Sequence, residues 1–138
     1  MNETESRKTP LGLRAAALAL GAALLVWLPF EDQNVIVVII FAAAVCVWFA
    51  VRYLWLISPA QGRHGFRSML VGAAAGIATA PMVILLMIIK SGLHGHDVPD
   101  FTFTQIISIL WRAPFWMVGG ALVGLGVGLW RQIQMNED

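Results

Sequence analysis

Long apolar runs alternate with short polar connections along this chain. Leu11 to Phe30, Val35 to Ile57, Met69 to Ile89 and Ala113 to Trp130 hold few polar side chains, and each is near the roughly 20 residues that carry a helix across the hydrocarbon of a bilayer. A backbone in lipid has to satisfy its own amides, which helices do. Each run is therefore predicted to be helical, even Val35-Ile36-Val37-Val38-Ile39-Ile40, whose β-branched side chains favour a strand in water. The expected fold class is all-α: a polytopic membrane protein built as a four-transmembrane-helix bundle, with residues 1–138 forming a single integral membrane domain.

The connections differ in character. Glu31-Asp32-Gln33-Asn34, just after Pro29, leaves room for a tight turn only, so the first two helices are expected to be antiparallel neighbours. Ser58 to Ser68 is a polar, basic loop, and Lys90 to Asp100 is a longer one punctuated by Gly92, Gly95 and Pro99. The stretch 101–112 that follows can either open the last helix or lie separately at the interface. Separation is favoured: Thr102 and Gln105 have capping-box spacing, and Pro114 after Arg112 suits the first turn of a new helix. A joined helix would also place Arg112 well inside one long span, where charge is costly.

Composition agrees with lipid as the main solvent. Of 138 residues 59% are hydrophobic and 12% charged, with a mean hydropathy of +0.76, far from the balance of soluble domains. The net charge of +1 and scattered basic residues exclude nucleic acid as a partner. Cys46 is the one cysteine, so no intrachain disulfide forms, and a small packing role is expected for it. The first run is longer than the core of a signal peptide and ends in Trp27-Leu28-Pro29-Phe30 without a small-residue cleavage site; it is expected to stay as a span.

Basic residues set the orientation. Arg7, Lys8, Arg14, Arg52, Arg63, Arg67 and Arg131 fall on one side, Lys90 and Arg112 on the other, and the excess marks the cytoplasmic side. Both termini are thus expected in the cytoplasm, with the His94 to Asp100 loop outside. Trp27, Trp111 and Trp116 fall near the outer interface and Trp55 and Trp130 near the inner one, as an aromatic belt requires. Trp48 lies deeper and is expected to face lipid or another helix.

Small residues form stripes. Gly120, Gly124 and Gly128 recur at four-residue intervals in the last run, and Gly72, Gly76 and Ala80 do so in the third. Because helices in lipid associate by close van der Waals contact, such stripes mark packing faces, either within the bundle or between copies. Pro81 predicts a kink or hinge in the third helix, since it removes one hydrogen bond and crowds the carbonyl of Ile77. Arg52 is expected to snorkel to the cytoplasmic headgroups, with an anionic lipid or a protein partner as the alternative, and Arg112 is a second lipid or partner contact.

Candidate chemistry is sparse. His94, His96, Asp97 and Asp100 crowd one loop and carry donors suited to a divalent metal such as zinc. A lone H-x-H lacks a separated second ligand pair, so a solvated loop is the first expectation and no cofactor is assigned. No serine sits in a nucleophile elbow and no glycine loop has the lysine of a phosphate site, so no enzyme activity is expected. In size and span count the chain is similar to the small multidrug-resistance transporters. That family's glutamate in the first helix is absent, because Arg14 is the only charged residue of Leu11 to Phe30, and the likeness is one of shape.

None of the four runs contains Asp or Glu, whereas ion-coupled transport usually needs an ionisable group at depth. The leading expectation is therefore a small structural or accessory subunit that associates through its glycine-rich faces with itself or with a larger membrane complex. A small-solute transporter or channel component is the alternative, and an outward-facing metal-binding module is the third. Reporter fusions test the orientation: a reporter after His96 should be active only outside, and one after Glu137 only in the cytoplasm. The opposite pattern overturns it.

Overall fold

A computed structural model of the chain describes residues 10–30, 34–56, 64–94 and 101–137. These form four helices: α1 (Leu11–Trp27), α2 (Val35–Leu56), α3 (His64–His94) and α4 (Phe103–Glu137). No strand occurs among the described residues. Helices α2, α3 and α4 are long and apolar enough to cross a membrane, while α1 is a shorter apolar helix of 17 residues, about 26 Å long at 1.5 Å per residue.

Local chemistry explains where these helices begin. The Pro10 carbonyl accepts the amides of Leu13 and Arg14 at 3.0 and 3.2 Å, and Asn34 Oδ1 accepts the Ile36 amide at 3.0 Å as the N-cap of α2. At α4 the capping box closes in both directions. The Thr102 amide donates to Gln105 Oε1 at 2.7 Å and the Gln105 amide to Thr102 Oγ1 at 3.3 Å. Helix α1 stops at Trp27, because Pro29 has no amide to continue the ladder.

The expected break after Arg112 is absent. Rather than a separate interfacial helix over 101–112 and a span from Ala113 to Trp130, α4 runs unbroken for 35 residues through Pro114. Packing accounts for this. Ile106, Ile109, Ala113 and Trp116 all meet the same buried cluster, and their three- and four-residue spacing keeps one face in phase only if the helix continues. Pro114 points outward and is exposed, so its ring costs one hydrogen bond to Leu110 and no packing. Helix α3 likewise extends beyond the expected Met69 to Ile89, and it continues past Pro81, which is exposed.

Among the described residues the backbones approach one another between successive helices, so α3 lies between α2 and α4, and α1 lies against α2. The α3–α4 interface is the most extensive and α1–α2 the least. Trp48 joins that smaller pair: its indole Nε1 donates to the Leu13 carbonyl at 3.0 Å. The core sits toward one end, where Trp27, Val38, Ala42, Val83, Met87, Phe101 and Ile109 are buried together. Elsewhere large apolar side chains cover the outside, Leu18 being 76% and Val123 68% exposed. An apolar exterior around small apolar interfaces fits a lipid surrounding.

The α3–α4 seam is a contact of backbone on backbone. A Cβ added to Gly72 would fall on the Gly120 carbonyl oxygen, and one on Gly120 would fall on that of Gly72. Gly124 meets the Ser68 carbonyl and Gly76 that of Trp116 in the same way, which makes the pair antiparallel. Since a glycine hydrogen occupies the direction of the missing Cβ, these are reciprocal Cα–H···O contacts, each contributing about 0.5–1 kcal/mol. Gly119, one residue away, has nothing within 4 Å of such a Cβ. Gly120→Ala should therefore destabilise the protein by about 3 kcal/mol through overpacking, and Gly119→Ala should be neutral or slightly stabilising. Reversible unfolding in detergent measures both, and equal effects would refute the seam.

Candidate functional site

The glycines singled out by spacing occupy a defined place. Gly72, Gly76, Gly120 and Gly124 are in the α3–α4 seam, Gly128 is buried further along α4, and Ala80 is buried in the core cluster. These faces are covered within the chain. Next to Ala80, the buried Thr79 hydroxyl donates to the Ala75 carbonyl at 3.0 Å and lies near the buried Cys46 side chain. Cys46 thus joins α2 to α3 as a packing residue.

The end of the molecule that carries the core also buries a cation. Lys90, on the last turns of α3, is 1% exposed, and its ammonium lies 4.1 Å from the ring centroid of Trp27 at the end of α1. Trp27 in turn stacks on Phe41 of α2 at 5.0 Å. An ammonium over an indole face gains about 2 kcal/mol when water is excluded. Three helices therefore meet at Trp27, and α3 brings to it Lys90, which the count of basic residues had assigned only to the outer side. The signal was available: the third run ends at Lys90 and the first ends near Trp27, so an outer-interface layout already brings them to one level.

Arg52 stands at the opposite end of the bundle. Its guanidinium carbon is 5.4 Å from the Trp48 ring centroid, and Trp48 holds the Leu13 carbonyl. The arginine thus lies above the α1–α2 contact and is exposed, with a cation–π partner of its own.

Arg112 lies elsewhere. Gly76 is beside Trp116 and Gly120, and one further turn along the antiparallel pair brings Arg112 level with Ala80 to Val83. Lys90 is seven residues past Val83, about 10 Å along α3. Arg112 is exposed at that depth, and so are Phe115, Gly119, Leu122, Gly126 and Leu129. Their spacing of three and four residues places all six on one face of α4. No neighbouring atom lies within 4 Å of a Cβ built on Gly119 or Gly126.

The loop proposed for metal is reached only at its edge. His94 is the last residue of α3, while His96, Asp97 and Asp100 lie outside the described residues. Among the described residues no group of three or more His, Cys, Asp or Glu gathers. The chain matches no protein-family model, no curated protein and no solved structure, so its function is read from its own residues.

The cation cluster makes a measurable claim. Trp27→Leu removes the ring beneath the ammonium together with buried aromatic area, and should cost about 3 kcal/mol in unfolding experiments in detergent. Lys90→Met keeps the apolar stem and deletes the charge, and should cost about 2 kcal/mol, less than the loss of the ring. A larger loss for Lys90→Met than for Trp27→Leu would mean that the ring is not what holds this end together.

Proposed function

We propose that the protein is a small accessory subunit of a membrane complex, with four spans and both termini in the cytoplasm, that docks against a transmembrane helix of another protein through the outward face of α4. The observation that carries this reading is Arg112. It is exposed at the level of the apolar middle of α3, on a helix that runs straight through that depth. A guanidinium there costs about 3 kcal/mol if it meets hydrocarbon alone. Side chains lean toward the helix N-terminus, so snorkelling toward the Phe103 end lowers the cost. An acceptor on a partner helix removes it.

The rest of the face fits such a partner. Gly119 and Gly126 are seven residues apart and leave hollows between Phe115, Leu122 and Leu129. Seven-residue recurrence of small residues on one face suits a helix crossing at a shallow angle. A different protein is favoured over a second copy. None of the four apolar runs holds Asp or Glu, so another copy brings no carboxylate to that depth, and a symmetric parallel contact would set two Arg112 side chains against each other. The spans also lack the buried acids of a coupled transporter and any paired nucleophile and base.

Gentle solubilisation followed by mass measurement checks the proposal. The chain should run with a larger membrane protein, and a photo-crosslinker at Leu122 should capture that protein while one at Leu18 on α1 does not. Arg112→Leu and Gly126→Leu should each release it, by about tenfold in retained fraction. A strictly monomeric species without crosslinks from Leu122 would overturn the reading.

A further inference from the structure

A second surface feature lies away from the α3–α4 seam. Between α2 and α3 runs an open groove of about 510 Å³, bounded by Cys46, Phe49 and Tyr53 on one side and by Leu70, Ala74 and Ala78 on the other. Its lining is almost wholly apolar, and the alanines make it deep where larger side chains would fill it. Its open apolar floor offers contact to a flexible hydrocarbon chain along α2 and α3.

One end of the groove differs from the rest. Tyr53 closes it on α2, and Arg67, beyond the lining, precedes Leu70 and Val71 by one turn on the same face of α3, half-buried. Neither α2 nor α3 contains an Asp or Glu, so these two helices bring only positive charge to that end. Arg52, beside Tyr53, reinforces it from above Trp48.

We propose that this groove binds one acyl chain of an anionic phospholipid, in the leaflet at the Arg67 end, with the lipid phosphate held by Arg67 and the Tyr53 hydroxyl. The division of labour is chemical. Alanine-lined hydrocarbon space takes the chain without selecting among headgroups, and the guanidinium selects the anionic one by charge-assisted hydrogen bonds. The site is independent of the α4 face and of any protein docked there.

Native mass spectrometry of the full chain, stripped of lipid in mild detergent and mixed with dioleoyl phosphatidylglycerol or dioleoyl phosphatidylcholine, tests it. One phosphatidylglycerol should be retained per chain, about tenfold over phosphatidylcholine, and excess inorganic phosphate should not displace it. Arg67→Gln should bring the two lipids to near-equal retention, and Ala78→Phe should abolish retention of both at unchanged helicity. If Ala78→Phe does not fold, Ala50→Leu narrows the groove from the α2 side and carries the same expectation. Undiminished lipid retention in the filled-groove variant would overturn the proposal, as would displacement by phosphate alone. So would a dimer, in place of bound lipid, that the filled groove abolishes.

Discussion

Everything in this molecule is arranged around the direct contact of two backbones. Where Gly72 meets Gly120 and Gly124 meets Ser68, no side chain stands between α3 and α4. In water, burial of apolar surface would hold two such helices together; in lipid that driving force is missing, and close approach with Cα–H···O contacts replaces it. The register that follows is strict. It fixes which residues of α4 stand level with which residues of α3, and so the depth of every polar group on both.

The remaining helices take their places from α3. On one side α2 reaches it through Val38, Ala42 and Cys46, and α1 is carried on α2, joined by the Trp48 indole near one end and by Trp27 near the other. Burial is concentrated where Trp27, Lys90, Met87, Phe101 and Ile109 come together. That end is tied by packing and by an ammonium over a ring, whereas the other half is held mainly by the glycine seam. Such a division leaves two outward surfaces with different chemistry: a knob-and-hollow face on α4 interrupted by one arginine, and an apolar groove between α2 and α3 bordered by basic residues.

Both surfaces have the chemistry that the proposed association would use. The helices offer a thiol packed near Thr79, a few hydroxyls bonded to nearby groups of their own helix, and cations on helices whose apolar runs hold no acid. Cations of this kind recognise carboxylates, carbonyls and phosphates. Helices with that inventory have the groups to hold a partner and a lipid.

Much of this was legible in the chain. Apolar run lengths place the helices, because lipid leaves a backbone no alternative, and the capping spacing of Thr102 and Gln105 marks a helix start where α4 begins, although it reads as opening a separate interfacial helix. Spacing also picks out Gly72, Gly76, Gly120 and Gly124 as smooth surfaces, without saying against what. Three things were decided only by the tertiary structure. Pro114 reads locally as a helix start, yet Ile106, Ile109, Ala113 and Trp116 share one buried face and carry the helix through it. Lys90 reads as one more outer charge, yet Trp27 arrives from a distant part of the sequence to cover it. Arg112 reads as interfacial, yet the antiparallel register lowers it beside Ala80 and Val83. Local spacing reports which face of a helix is apolar or small; the level at which two helices meet depends on contacts between residues far apart in the chain, and that level sets the environment of every charge.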